Sequence, residues 1–263
     1  MSKKNELLLR KDDNGICYLT LNRPKSRNAL SIDLIELLVE EFRRIDKDKN
    51  VKVIVIGANG PAFCAGHDLK ELREKNKQEF TRKVFERCSE MMLSIMHLKQ
   101  PVIAKINGIA TAAGCQLVAT SDLAIASTNA TFATPGVNIG LFCTTPSVAL
   151  SRVIPQKKSL EMLFTGEPIS AKTAASLGLI NSAVSEENLN NEVEKLANII
   201  KKKSSRILAI GKNAFYKQIE KPITESYEFA NVIMTKNMLE GDCIEGISAF
   251  VEKREPNWKS NSK

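Results

Sequence analysis

The chain is poor in residues that build metal and disulfide sites. It has only two histidines, His67 and His97, and these two do not lie at helical spacing from each other. Its six cysteines are scattered without a CxxC pair. Each thiol is therefore interpreted as a small buried apolar side chain in a reducing compartment, and no metal site is expected.

Long apolar runs are also missing. No segment approaches the roughly 20 residues that a membrane-spanning helix requires. The first residues, Met1 to Glu6, lack the apolar centre of a secretory signal and the Arg/Ser-rich pattern of a transit peptide. We therefore expect a cytoplasmic protein without a membrane partner, or a mitochondrial matrix protein if a targeting segment has been removed.

Aromatic residues make up only 5% of the chain, whereas its net charge is +8. The basic cluster Lys70, Arg73, Lys75 and Lys77 has no interleaved aromatic residues that would stack on bases. Nucleic acid is therefore not the expected partner, although nucleic-acid binding stays a third alternative. Most of the charge is expected on solvated helix faces, and its functional interpretation is a basic rim for a polyanionic small molecule such as coenzyme A.

Hydrophobic patterns predict an α/β fold with parallel strands. Nearly continuous apolar runs at 51–56 and 101–106 are typical of strands covered on both faces. A helical period behind Ser31, a favourable N-cap residue, predicts a helix to about residue 47. Further predicted elements are strands near 6–9, 15–21 and 122–126, helices at 80–98 and 112–119, and a helix with Thr145 as N-cap and Pro146 at its first position.

The pattern changes after about residue 183, where only helices are predicted. These helices cover 186–203, 204–218, 224–239 and 245–253, and residues 259–263 are expected to fray. The predicted division is a core over residues 1–200 and a C-terminal helical oligomerisation region over residues 201–263.

Two glycine-containing segments follow apolar runs. One extends from Phe63 to Leu69 and reads FCAGHDL, and the other extends from Asn107 to Leu117 and reads NGIATAAGCQL. Small residues let backbone amides approach a ligand, and two amides that converge on one carbonyl oxygen form an oxyanion hole. The alternative is that each segment is a tight turn that needs small residues.

Further motifs accompany these segments along nearly the whole chain. They are Leu21-Asn22-Arg23-Pro24, Asn28-Ala29-Leu30, Pro101-Val102-Ile103-Ala104, Asp122-Leu123-Ala124-Ile125-Ala126, Phe164-Thr165-Gly166, Leu177-Gly178-Leu179 and Lys212. Together they resemble the crotonase superfamily, the enoyl-CoA hydratase/isomerase group. The resemblance implies an α/β spiral of ββα units, with C-terminal helices that build homotrimers or hexamers. It also implies a lyase of fatty acid metabolism that binds a bent acyl-CoA thioester, without a prosthetic group and with coenzyme A as part of the substrate.

The resemblance implies roles for individual residues. The backbone amides of His67 and Ala113 would form the oxyanion hole, and the His67 side chain is interpreted as lining the pocket rather than as a base. The residues implied to contact coenzyme A are Ala65, Asp68 and Leu69 near the adenine, Lys25 or Arg27 with Lys70 near the phosphates, and Lys212 and Phe215 from across a subunit boundary. Each basic residue has the alternative of a solvated surface side chain.

The chain departs from the family at both usual catalytic glutamates, where it has Gln116 and Gly136. An amide exchanges no proton at neutral pH and glycine has no side chain, so hydratase activity is expected to be weak or lost. Gln116 either holds a water molecule or carboxylate, or simply faces a pocket wall. Replacing both residues with glutamate is expected to restore some hydratase activity.

Other side chains offer little replacement for the two missing glutamates. Cys143 precedes a predicted helix start, which favours a reactive thiol, but an inert buried thiol is the preferred interpretation, and Asp122 is interpreted as part of a structural turn. Chemistry that needs only an oxyanion hole survives best, namely decarboxylation of a malonyl-type CoA or thioester hydrolysis. A non-catalytic acyl-CoA-binding pseudoenzyme is the other alternative, so whether the chain is an enzyme stays open at this point.

Overall fold

The computed structural model describes residues 6–261, so Met1 to Asn5, on which the targeting expectation depends, lie outside it. In this part of the chain, ten strands form two sheets. The strands are β1 (Leu8–Asp13), β2 (Ile16–Leu21), β3 (Val53–Ala58), β4 (Ala62–Cys64), β5 (Val102–Ile106), β6 (Ile109–Thr111), β7 (Leu123–Ser127), β8 (Thr131–Ala133), β9 (Ile169–Ser170) and β10 (Ser182–Val184). The larger sheet has the order β1-β2-β3-β5-β7-β10 and the smaller one β4-β6-β8-β9. Only the β1–β2 and β8–β9 pairs are antiparallel.

Eleven α-helices cover most of the remaining described residues. They are α1 (Ile32–Ile45), α2 (Leu69–Glu74), α3 (Gln78–His97), α4 (Ala113–Thr120), α5 (Thr144–Val153), α6 (Gln156–Thr165), α7 (Ala171–Leu177), α8 (Leu189–Lys201), α9 (Ser205–Gln218), α10 (Ile223–Met238) and α11 (Gly241–Val251). None of the helices within residues 6–261 combines the length and the apolar composition that crossing a bilayer would need.

The strands repeat as ββα units. In the pairs β3–β4, β5–β6 and β7–β8, the first strand joins the larger sheet and the second joins the smaller sheet. Helices follow each pair, namely α2 and α3, then α4, then α5 and α6. This arrangement confirms the predicted α/β spiral, and the described chain beyond Leu189 is built from helices without a further strand. The domain boundary at residue 200 stays a prediction.

The central strands are covered on both faces, as predicted. On one face of β3, Ile54 and Ile56 join the main core, which also holds the buried side chains of α1 and α3. On the other face, Val53 and Val55 pack in a second cluster with Val193 of α8. Strands buried on both faces fix the positions of the loops at their ends, because a slip in register would expose apolar side chains.

Several predicted boundaries differ from the structure. Strand β1 begins at Leu8 rather than Glu6, and α11 begins at Gly241 rather than Glu245. The N-cap of α5 is Cys143 and not Thr145, so Pro146 occupies the third helical position. Proline is tolerated there because the first four helical amides have no intrahelical acceptor.

The expectation of a frayed tail is wrong for residues 259–261. The Ser260 hydroxyl donates to the buried Asp242 carboxylate, and the Asn261 side chain accepts a hydrogen bond from the Ser205 amide at 3.0 Å. It also donates to the carbonyl of Lys203 at 2.9 Å. These contacts satisfy the N-terminus of α9, and residues 262–263 lie outside the described part of the chain.

Candidate functional site

The two glycine-containing segments meet at one edge of the smaller sheet. The first begins in β4 and the second contains β6, and these strands are parallel neighbours. The carboxyl ends of parallel neighbours lie side by side, so the residues behind Cys64 and Thr111 are brought together. The two segments that the sequence analysis singled out therefore form one site.

Two glycines allow this close approach. Gly66 has a φ of +89°, and a Cβ atom added to it would lie 2.9 Å from the Cβ of Ala112 and 3.3 Å from the amide nitrogen of Ala113. A Cβ atom added to Gly114 would lie 2.0 Å from the carbonyl oxygen of Cys64. Any side chain at either position would force the segments apart, which explains why both positions need glycine.

The backbone at Ala112 directs the start of α4. Ala112 has a φ of +50° and a ψ of −118°, which is a sparsely populated conformation for an alanine. Its amide donates to Ala133 at 2.9 Å and its carbonyl accepts from Gln116 at 3.0 Å, and these two bonds hold it in place. Backbone strain of this kind costs about 1–3 kcal/mol and is concentrated at functional sites.

The strained turn leaves neighbouring backbone donors without partners. Within the described part of the chain, neither the amide of His67 nor that of Ala113 donates a hydrogen bond to a protein acceptor. The amide of Ala113 has none because it is the first residue of α4. Two unpaired amides on one cavity wall are the groups that bind a carbonyl oxygen on which negative charge develops.

These amides border a cavity of about 410 Å³, which we call the first cavity. Its described lining contains no aspartate or glutamate. The walls that surround the amides are mostly apolar, and they include Leu72, Phe85, Leu141 and Phe142. An apolar wall excludes water and strengthens a hydrogen bond to a developing oxyanion.

The His67 imidazole lies in this wall. Its ring meets the edge of Phe85 with 5.0 Å between ring centroids, and its Nε2 atom is buried without a hydrogen-bond partner in the described chain. Burial lowers the pKa of His67 from 6.5 to about 4, so the ring is neutral at pH 7. A group with this pKa is a weak base, which agrees with a lining role, although that role stays a prediction.

Three thiols near the site, those of Cys64, Cys115 and Cys143, give no activated nucleophile. Cys143 is the N-cap of α5 and lines the first cavity, but burial raises its pKa rather than lowering it. Burial also raises the pKa of Cys64 and Cys115 to about 12. Among residues 6–261, no three histidine, cysteine, aspartate or glutamate side chains lie close enough to hold a metal ion.

The two positions of the usual glutamates line two adjoining spaces. Gly136 lines the first cavity, whereas Gln116 lines a neighbouring groove between α3, α5 and α9, which we call the second groove. Gln116 is 6% exposed, and its Oε1 atom has no hydrogen-bond partner among the described residues.

Gly136 is also closed to a larger side chain. A Cβ atom added there would lie 2.1 Å from the carbonyl oxygen of Leu141 and 2.8 Å from the Sγ atom of Cys143. The expectation that glutamates at 116 and 136 restore hydratase activity therefore needs correction. The loop from Gly136 to Cys143 fills the space that the second glutamate would need.

Several residues expected to contact coenzyme A surround the first cavity. Ala65 and Leu69 line it, and the amide of Ala65 donates to the carbonyl of Arg27 at 3.0 Å. The segment that holds Lys25 and Arg27 therefore lies beside the first glycine-containing segment. Lys25, Arg27 and Lys70 are exposed, which leaves them accessible to an anion.

Asp68 has a structural role in the same region. Its carboxylate pairs with Arg23 at 2.8 Å and caps α2 by accepting from the amide of Glu71 at 3.3 Å. The Arg23 pair is a cause of the lowered pKa of Asp68. This carboxylate therefore orients the segment behind Gly66.

Lys212 is not part of the cavity. Its Nζ atom donates to Asp122 at 2.6 Å, to the carbonyl of Ile95 at 2.8 Å and to that of Gln100 at 3.0 Å. All three of its donors are thus used within its own chain, and burial lowers its pKa. Lys212 was predicted to reach coenzyme A, but in this arrangement it has no donor left. Phe215 of α9 remains 53% exposed.

Asp122 connects α9 to the core. Besides Lys212, it accepts hydrogen bonds from the hydroxyl of Tyr216 at 2.8 Å and from the amide of Val102 at 2.7 Å. These bonds support the structural role predicted for Asp122. Sequence patterns gave no signal for its partners in α9, which lie 90 or more residues away.

The second groove and the strained turn at Ala112 were missed by the sequence analysis. The groove is formed by side chains from four helices that are distant in sequence, so no local pattern marks it. Alanine at position 112 gives no hint of a positive φ, because such a conformation is common only for glycine and, to a smaller extent, asparagine and aspartate.

Comparison with known proteins adds an independent result. The family model for enoyl-CoA hydratase/isomerase matches residues 11–261. The mitochondrial enoyl-CoA hydratase domain-containing protein 3 of Xenopus laevis is 45% identical over 252 residues, covering 96% of this chain and 86% of that protein. The human protein of the same name is 46% identical over 245 residues, covering 93% and 81%.

Solved structures agree with the sequence comparisons. An enoyl-CoA hydratase from Mycobacterium smegmatis matches with a TM-score of 0.94 and 49% identity, covering 96% of this chain and 98% of that chain. Human enoyl-CoA hydratase domain-containing protein 3 matches with a TM-score of 0.93 and 44% identity, covering 96% and 100%. The chain therefore belongs to the enoyl-CoA hydratase/isomerase family, within the crotonase superfamily.

Proposed function

We propose that this protein binds an acyl-CoA thioester and stabilises its enolate form through the backbone amides of His67 and Ala113. The observation that carries the proposal is the pair of amides without protein acceptors at the wall of the first cavity. Backbone donors of this kind act most strongly where charge develops, and removal of one such donor typically costs about 10²–10³ in rate.

Hydration of an enoyl thioester is expected to be weak or lost. It requires an activated water molecule and a proton for the α-carbon, and each acid or base group is worth about 10²–10⁴-fold. The described lining of the first cavity offers no carboxylate, and His67 is a weak base because its pKa is about 4. The oxyanion hole alone would retain only a small part of a hydratase's rate.

Decarboxylation of a malonyl-type CoA suits this inventory better, because it needs no protein base. The bond between the α-carbon and the carboxylate breaks, and its electron pair moves onto the thioester oxygen, where the two amides stabilise the enolate. Carbon dioxide leaves, and the α-carbon takes its proton from water. Thioester hydrolysis and non-catalytic binding of acyl-CoA are the alternatives that a substrate test must separate.

Coenzyme A would enter as part of the substrate. Support for its position comes from Ala65 and Leu69, which line the first cavity, and from the exposed side chains of Lys25, Arg27 and Lys70 around it. An ammonium or guanidinium group suits a phosphate. We propose the three basic residues as phosphate contacts and the two apolar ones as neighbours of the adenine.

We also propose that the protein forms a homotrimer or hexamer. Large apolar side chains are exposed on the C-terminal helices, including Ile223 at 72%, Leu239 at 77% and Phe250 at 84%. Exposed apolar surface on this scale marks an interaction site. For location we favour the mitochondrial alternative over the cytoplasmic one, because seven relatives carry "mitochondrial" in their names.

A panel of CoA esters tests the function. Crotonyl-, malonyl-, methylmalonyl-, ethylmalonyl- and butyryl-CoA would be incubated with the purified protein, the products identified by mass spectrometry and binding measured by calorimetry. Loss of CO₂ from a malonyl-type ester at a rate above the protein-free control is the expected result. Binding without turnover would support the non-catalytic alternative, and rapid hydration of crotonyl-CoA would contradict the proposal.

A further inference from the structure

A single parallel β-bridge sets the direction of the free His67 amide. His67 and Leu30 form this bridge. The amide of Leu30 donates to the carbonyl of Gly66 at 2.7 Å, and the amide of Asp68 donates to the carbonyl of Leu30 at 3.1 Å. In a parallel pair, the residue between two such bonds turns its own amide to the opposite side, because backbone groups alternate along an extended chain. The bridge therefore turns the amide of His67 away from Leu30, and this amide donates to no acceptor within residues 6–261.

Leu30 is a firmly held partner in this bridge. Its side chain is 1% exposed and packs in the main core. The helices that follow the two sides of the bridge are also joined, because the amide of Ile32 in α1 donates to the carboxylate of Glu71 in α2 at 2.9 Å. The first glycine-containing segment is thus held against a part of the chain that close packing keeps in place.

The side chain of Asn28 fastens the loop that leads into the bridge. Asn28 is 0% exposed and has a φ of +54°, a conformation that asparagine adopts more readily than most residues. Its Oδ1 atom accepts from the amide of Arg23 at 2.7 Å, and its Nδ2 atom donates to the carbonyls of Asn59 at 2.9 Å and Ala62 at 2.8 Å. Ala62 is the first residue of β4. One side chain therefore ties this loop to the strand that precedes His67.

The side chain of Arg23 joins the two sides of the bridge directly. Its guanidinium group donates to the carbonyl of Ala29, which precedes Leu30. The same group pairs at 2.8 Å with the carboxylate of Asp68, which follows His67. A planar guanidinium group presents several donors in a fixed geometry, so it can hold two acceptors at a set separation.

We propose that Asn28 and Arg23 are positioning residues, which hold the His67 amide in the direction that an oxyanion requires. The inference rests on the proposed binding of acyl-CoA at the two amides. Neither side chain lines the first cavity, so each acts through the loop and the bridge rather than on the substrate. A hydrogen bond weakens steeply as its angle departs from linearity. A small rotation of the His67 peptide would therefore remove much of its contribution.

Two ligands that differ at the carbonyl oxygen isolate the contribution of the amides. Butyryl-CoA has this oxygen, whereas the thioether S-butyl-CoA has a methylene group in place of the carbonyl. Both carry the same coenzyme A, so a changed phosphate contact of Lys25 or Arg27 affects them equally. The ratio of their dissociation constants, which we call the carbonyl preference, reports the hydrogen bonds to the thioester oxygen. Isothermal titration calorimetry on the full-length protein would measure it.

The expected carbonyl preference follows from two hydrogen bonds. Each neutral bond is worth about 2- to 12-fold in affinity, so wild type should prefer butyryl-CoA at least about fivefold. Asn28→Gly removes the three bonds of the side chain while glycine still accepts the positive φ. Arg23→Met removes both guanidinium contacts and keeps an unbranched aliphatic stem. Each variant should lower the carbonyl preference about 2- to 12-fold, which corresponds to the loss of one bond.

Asn181→Gly is the matched control. The Asn181 side chain accepts from the amide of Ala124 at 2.8 Å, so it also fastens backbone. It directly precedes β10, the edge strand of the larger sheet, and lines neither the first cavity nor the second groove. This variant should keep the carbonyl preference of wild type, and circular dichroism would establish that each variant is folded.

Three results would overturn the inference. A wild-type carbonyl preference in folded Asn28→Gly, or in Arg23→Met if the first variant does not fold, would leave these residues with a structural role only, while binding at the amides would stand. An equal decrease in Asn181→Gly would show that the ratio responds to any loss of stability. A carbonyl preference near one in wild type would contradict the proposed function and this inference with it.

Discussion

The most informative perturbation removes the amide of Ala113, one of the two proposed donors. Ala113 is the first residue of α4, where proline costs no helical hydrogen bond because that amide has no intrahelical acceptor. In Ala113→Pro the ring replaces the amide hydrogen and extends toward the position of the thioester oxygen. The other unpaired amide, that of His67, is unchanged.

The expected magnitudes differ for binding and for chemistry. One neutral hydrogen bond to a bound thioester is worth about 0.5–1.5 kcal/mol, or about 2- to 12-fold in affinity. A donor to the developing enolate is worth about 10²–10³ in rate. Ala113→Pro should therefore weaken butyryl-CoA binding several-fold and lower malonyl-CoA decarboxylation at least about 100-fold.

Gln78→Pro provides the control. Gln78 is the first residue of α3, and the preceding Lys77 has a φ of −126° and a ψ of 133°, the conformation that a residue before proline prefers. Calorimetry and mass spectrometry would compare both variants with wild type, and circular dichroism would establish folding. A folded Ala113→Pro variant with wild-type binding and decarboxylation would refute the assignment of this amide.

The remaining predictions concern stability. Gly136→Glu should lower the melting temperature by several degrees without creating hydratase activity, because its Cβ atom meets the carbonyl of Leu141 at 2.1 Å; activity on crotonyl-CoA would contradict this. Asp122→Asn leaves Lys212, whose side chain is 7% exposed, without its carboxylate. Urea unfolding should therefore show a free energy of unfolding that is lower by about 3–5 kcal/mol. A decrease of less than about 1 kcal/mol would refute the argument. For His67, the folded pKa of about 4 lies below the unfolded 6.5, so the unfolded chain binds the extra proton. The free energy of unfolding should therefore fall by up to about 3 kcal/mol as the pH decreases from 6.5 to 4. The His67→Phe variant should lack that part of the pH dependence. An equal pH dependence in wild type and in His67→Phe would contradict the assignment to His67.

The sequence predicted the site best where local chemistry dictates the backbone. Gly66 and Gly114 are needed because any side chain would separate the two segments, and β4 and β6 bring those segments together as parallel neighbours. The apolar run around Val53 predicted a strand buried on both faces, and the packing of Ile54 and Ile56 on one face and of Val53 and Val55 on the other confirms it. These features depend on residue type and short-range order, so one sequence is enough to infer them.

Features that depend on distant contacts were missed. The carbonyl that blocks position 136 belongs to Leu141, and the path of that loop leaves no pattern in the sequence. Lys212 was predicted to contact coenzyme A, but its ammonium group pairs instead with Asp122, which lies 90 residues away in the sequence. A buried lysine pairs with whichever carboxylate the fold brings near, which residue identity alone does not reveal.

The position of the thioester oxygen is the measurement that tests the central claim most directly. A crystal structure of the protein with a slowly reacting acyl-CoA analogue should place that oxygen about 2.7–3.1 Å from the backbone nitrogens of His67 and Ala113. A bound ligand whose carbonyl oxygen accepts from neither amide, or whose α-carbon faces a carboxylate of the protein, would contradict the account.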